Sequence, residues 1–125
     1  MNRPACRKTR SEDGAVAAEL ALLLPVLVML LFGIIQFGLA YNSLQGVHAA
    51  AREGARVGSV SPGDECQRAS DALDGLSISA TCTVAQSCPG DRAIVIVEAN
   101  TSLDIPFVGS RNLTLTGRGE YRCEV

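Results

Sequence analysis

The sequence predicts an α+β fold: a long N-terminal transmembrane helix that continues into a small head with an antiparallel sheet of about three strands. Three observations predict it. Residues Ala15 to Ala40 read AVAAELALLLPVLVMLLFGIIQFGLA, with Glu19 the one charge and Gln36 the one amide. A helical spacing of small residues then continues to Val60, and three strand-like stretches follow it.

The apolar stretch comes first. A spanning helix needs about 20 apolar residues, and Leu20 to Ile35 carries no charged or amide side chain. The hydrophobic part of a cleaved secretory signal is shorter, about 7–15 residues, so that reading fits poorly. Gly38-Leu39-Ala40 is the small-residue cleavage site it would use. Arg3, Arg7, Lys8 and Arg10 precede the span, which places the N-terminus in the cytoplasm and the head outside the inner membrane.

Two residues inside the span stand out. A carboxylate such as Glu19 costs on the order of 2.5–3.5 kcal/mol at a helix centre and less near the interface. Either Glu19 reaches headgroups and water, or it has a partner. Pro25 withholds an N–H from the carbonyl of Ala21, so it marks a helix kink. The bend either serves departure from the bilayer or is inert.

After Ala40 the helix continues as a stalk over residues 41–60. Gly46, Ala50, Gly54 and Gly58 fall four apart and form one stripe of small residues. The stripe seats the helix against its own sheet or against another helix. Arg52, Glu53 and Arg56 show that this part has left the hydrocarbon.

Residues 61–125 form the extracytoplasmic head. Ser61-Pro62-Gly63-Asp64 ends the helix. A short helix is predicted over Glu65 to Leu73, then strands over Leu76 to Ala85, Ala93 to Ala99 and Asn112 to Glu124, with Pro106 and Gly109-Ser110 as breaks. Hydrophobic residues make up 47% of the 125 but aromatics only 4%, and Trp is absent, so the core is modest.

Cys66, Cys82, Cys88 and Cys123 all fall in the head, where an oxidising compartment makes two disulfides the expectation. Sequence leaves three connectivities open; Cys66–Cys82 with Cys88–Cys123 is preferred. Cys6, before the span, is a free thiol or an acylated juxtamembrane cysteine.

Composition also narrows the chemistry. A net charge of −2 with no basic patch argues against nucleic acid. The single histidine, His48, sits among alanines beside the membrane, and no CxxC pair is present. Nor does a phosphate-cradling glycine loop follow a strand. No catalytic residues, metal, cofactor or small-molecule substrate are therefore expected. The sequons at Asn100 and Asn112 are read as chance.

The N-terminal half resembles a known family. Gly14 followed by Ala15-Val-Ala-Ala-Glu19 and a long apolar run looks like a prepilin signal. The string GAVAAELALLLPVLVMLLFGIIQFGLAYN with the later AAREGARVGSV is similar to TadE and TadG-like proteins, over about Gly14 to Val60. Leu24-Pro25, the Phe32-Gly33 and Phe37-Gly38 pairs and the Ala-Arg-Glu-Gly-Ala-Arg block carry the likeness. Gln36 stands where many relatives have a second acid.

The resemblance implies a pilin-like head and a minor pilin or pseudopilin of the Flp/Tad pilus system. It implies that residues 1–14 are a cytoplasmic leader, removed between Gly14 and Ala15 by a prepilin peptidase. Glu19 would then neutralise the N-terminal amine of a neighbouring subunit during assembly. The implied partners are the membrane, the peptidase, other pilin subunits and the Tad assembly machinery. The short head favours TadE over TadG. The alternative is an unprocessed, membrane-anchored binding or adhesion module.

Overall fold

The apolar and small-residue stretches form one helix. In the computed structural model, which describes residues 10–76, 78–105 and 109–124, α1 runs without a break over Arg10–Val60. Its 51 residues extend roughly 75 Å at about 1.5 Å per residue. Pro25 lies inside α1, and the helical assignment passes through it. The leader before Arg10, Cys6 and the expected break at Pro106 lie outside the described residues.

A short helix, α2 (Glu65–Asp71), follows the Ser61–Asp64 turn. Three strands complete the head: β1 (Ser79–Gln86), β2 (Arg92–Ile105) and β3 (Gly109–Arg122). They form one antiparallel sheet in the order β1-β2-β3, so every connection joins neighbours. The α+β plan expected from the sequence is the observed one. Strand bounds differ from expectation. β1 starts later than Leu76, while β2 continues past Ala99 to Ile105 because Asn100 to Ile105 stay paired with Thr114 to Gly109.

Residues 41–60 do more than carry the head. Val47, Ala50, Ala51 and Ala55 of α1 are fully buried and form the core with Ala69, Leu73, Val95, Val97, Ala99 and Leu115. The stalk is therefore the spine of the head. Val47, Val95 and Val97 are the largest fully buried side chains. So small a core leaves little apolar area to offset chain entropy in a head of roughly 65 residues.

Two glycines let the helix approach the sheet. Gly117 and Gly119 are two apart on β3, so both face α1. A Cβ on Gly117 would stand 2.6 Å from the carbonyl oxygen of Val47, and one on Gly119 would collide with the Ala51 carbonyl. Backbone thus packs on backbone at this level.

The Gly46–Gly58 stripe has a different partner from the one expected. A Cβ at Gly46 would meet Leu76; at Gly54, the carbonyl of Glu65, Ala69 and Val95; at Gly58, the Glu65 side chain. The glycines of the stripe therefore pack mainly on α2 and the turn after it, and of the three only Gly54 has a sheet residue, Val95, among its nearest neighbours. Its role is intramolecular, with α2 inserted where larger residues would exclude it.

Candidate assembly site

The residues singled out for processing and assembly lie together at the start of α1. Gly14, Ala15 and Glu19 are all exposed, and a Cβ built on Gly14 meets nothing within 4 Å. Ala15 and Glu19 are one turn apart on one face of the helix. Among the described residues, Glu19 has no hydrogen-bond or ion-pair partner. Its surroundings are apolar: Val16 is 65% exposed and Leu22 78%.

That exposure continues along the helix. The most apolar 18-residue window has a mean hydropathy of 2.7, and none of it is buried by the rest of the chain. Leu, Val, Ile and Phe side chains from Leu20 to Leu39 all face outward. An apolar surface this large and continuous requires cover from lipid or from other helices. Pro25 sits within it.

At the other end of α1, charges behave as the sequence indicated. Arg52 and Arg56 are exposed, and Glu53 bridges Arg56 at 3.7 Å and Arg68 of α2 at 4.0 Å. His48 is half-buried against the head. No group of three or more His, Cys, Asp or Glu capable of holding a metal is found among the described residues.

The cysteines close the head. Cys66 in α2 stands at disulfide distance from Cys82 in β1, with Cα atoms 5.6 Å apart. Cys88, between β1 and β2, stands likewise beside Cys123 after β3, with Cα atoms 5.9 Å apart. One pair ties α2 to the sheet and the other ties the β1–β2 connection to the chain end. Backbone bonds from Glu124 to Ser59 (3.0 Å) and from Cys123 to Asp91 (3.2 Å) hold the same end.

Between these pairs lies Glu65, a residue that sequence reasoning passed over. It is only 3% exposed at the start of α2. One carboxylate oxygen accepts a bond from the Gly63 N–H at 2.7 Å, the other from the Ser87 hydroxyl at 3.0 Å. Burial pushes its carboxyl up. Bonds from its own N–H, from Gly63 and from Ser87 outweigh that and hold it below the usual carboxylate range. The one hint in the sequence was Gly58, which leaves the room that Glu65 fills.

The fold and this geometry define a class: a small α+β head built around the C-terminal part of a helix suited to single-pass membrane anchoring. The family model described as TadE-like protein matches residues 14–56, from the glycine of the expected cut to the charged turn of α1. Over these residues, about a third of the chain, the protein is similar to TadE-like proteins. No curated protein and no solved structure matches it.

Proposed function

We propose that this protein is a non-enzymatic minor pilin or pseudopilin that takes part in assembling Flp/Tad-type pili. The observation that carries the reading is the TadE-like match over a helix whose apolar surface is wholly uncovered. In this reading the chain is held in the inner membrane with its basic N-terminus in the cytoplasm. A prepilin peptidase cuts between Gly14 and Ala15. Because α1 begins at Arg10, the peptide bond after Gly14 is helical here and unwinds locally to be cut.

Cleavage places an α-ammonium one turn from Glu19. That carboxylate then has a cation of its own kind to meet in a neighbouring subunit, which compensates its burial among apolar helices. Pro25 weakens the ladder next to this site and eases bending as the subunit leaves the bilayer.

The test is intact mass with N-terminal sequencing of the protein from its native membrane, with and without the prepilin peptidase. A peptidase-dependent start at Ala15 supports the proposal. A start at Met1 would leave a membrane-anchored adhesion module, and a start at Tyr41 a domain released by signal peptidase.

A further inference from the structure

The β2–β3 hairpin is longer than the core requires. Its pairing extends without a break from Arg92 opposite Arg122 down to Ile105 opposite Gly109. The last core residue on that path is Ala99, paired with Leu115. Beyond it the hairpin runs on beside α1 until Asp104, Ile105, Gly109 and Ser110 line a cleft with Phe32 and Gln36. The head therefore reaches back to the helix segment that has membrane character.

Helix geometry fixes the depth of that contact. From Ala15 to Gln36 the rise is about 32 Å at about 1.5 Å per residue. The hydrocarbon of a bilayer is about 30 Å thick. With Ala15 at the inner boundary, Gln36, the first amide after the apolar run, is at the outer boundary. The Ile105–Gly109 end of the hairpin is at the same level.

The two faces of the hairpin differ in chemistry. The face turned from α1 is polar from Glu98 and Thr116 down to Asp104 and Ser110, and Thr114 bonds Asn100 at 3.0 Å. On the side of α1, the core residues give way at the low end to Ile105, 40% exposed, and Leu113, 39% exposed, beside Phe37 at 71% and Tyr41 at 54%. A groove of about 280 Å³ between hairpin and helix is walled by Phe37, Tyr41, Leu44, Leu103 and Leu113. It opens directly onto the bare apolar surface of α1.

From this we infer that the Ile105–Gly109 end of the β2–β3 hairpin is seated in the outer membrane–water interface, with the upper acyl segments of phospholipid filling the groove beside Phe37 and Leu103. The inference rests on the membrane anchorage proposed above. Continuity selects lipid as the occupant, since the groove is the upper edge of the same surface that the bilayer covers. Tyr41 supplies the amphipathic ring suited to that level, and Gln36, Asp104 and Ser110 supply polar groups at headgroup depth. The head is then held against the bilayer by two elements.

The chain has no tryptophan, so single-Trp variants report one position each. The full-length protein is reconstituted in phosphatidylglycerol/phosphatidylethanolamine vesicles whose acyl chains are brominated either near the glycerol or at mid-chain. Leu23→Trp reports anchorage, Ile105→Trp the hairpin, and Thr83→Trp the exposed sheet. The expected result is Leu23→Trp quenched by mid-chain bromine, Ile105→Trp blue-shifted and quenched by shallow bromine, and Thr83→Trp red and unquenched.

If Ile105→Trp matches Thr83→Trp while Leu23→Trp is quenched, the hairpin inference falls and anchorage stands. A blue-shifted but unquenched Ile105→Trp places protein in the groove, a second copy for instance, and also overturns it. An unquenched Leu23→Trp removes the anchorage itself. Hydrogen exchange on the unsubstituted chain guards against a misfolded variant. The amides of Leu103 to Ile105 and Gly109 to Arg111 exchange more slowly in bilayers than in amphipol; equal rates contradict the inference.

Discussion

The carbonyl oxygen of Ala51 lies directly over Gly119, in the space that a methyl group on that glycine would occupy. Only a residue without a Cβ permits this approach, and the contact sets the distance between α1 and the sheet. Gly119→Ala forces backbone apart rather than a flexible side chain. Unfolding of the full chain in detergent, followed by denaturant titration, should show a loss of about 3 kcal/mol, at the upper end of overpacking costs. Gly33→Ala adds a methyl that meets nothing and should leave stability within about 0.5 kcal/mol of the parent.

Glu65 should behave as a structural carboxylate. Its folded value is depressed, so the stability it contributes is complete above the unfolded carboxyl value of about 4.3. That contribution is lost as pH falls through the lower folded value. Glu65→Gln cannot accept from both Gly63 and Ser87, and should lose about 1–3 kcal/mol at neutral pH. The acid limb of its stability curve, measured from pH 6 to 2, should be shallower than the parent's. An unchanged limb would show that Glu65 does not carry the dependence.

Glu120 offers a contrast. A hydrogen bond from Arg92 is the main reason its carboxyl sits below the usual range; burial opposes this, and Arg118 adds to it. The cluster is open to solvent, so salt screens it. Molar sodium chloride should abolish any effect of Arg92→Gln on stability while leaving that of Glu65→Gln in place.

The two cysteine pairs should contribute unequally. The loops they close span 16 and 35 residues. Chain entropy alone then gives about 3 kcal/mol for Cys66–Cys82 and about 4 for Cys88–Cys123. Paired serine variants, compared by thermal unfolding, should rank in that order. Non-reducing peptide mapping of the parent checks the pairing itself.

Glu19→Ala should separate insertion from assembly. Removing a carboxylate from the span favours insertion, so the variant reaches the membrane in normal amounts. Cleavage after Gly14 should also persist, since the cut bond is unchanged. Pilus number on cells should fall. Normal piliation with Glu19→Ala would remove the residue from the assembly site.

Much of the fold was legible because its signals are one-dimensional. A single charge in the span shows the helix at once, and the run of β-branched residues in Ala93–Ala99 shows β2. What stayed hidden depends on contacts made far along the chain. Asn100 and Asp104 are weak strand formers, yet they are strand because Thr114 and Ser110 pair with them. Leu76 and Ile78 alternate like strand residues but pack on the core ahead of β1. Gly117 and Gly119 lay inside a predicted strand, yet that they receive the backbone of α1 shows only once helix and sheet are packed. The site divides the same way: Gly14 and Glu19 stand out through the resemblance to prepilins, whereas Glu65 emerges only when Gly63, Ser87 and Gly58 come together.

The uninterrupted course of α1 has a mechanical consequence. Anchor and core share one rod, with no flexible tether between them among the described residues. A pull on the membrane end is delivered straight into the packing around Val47 and Ala51. The head must tilt, turn and translate with its anchor, so any load along α1 falls on interdigitated side chains and cystine staples rather than on a hinge.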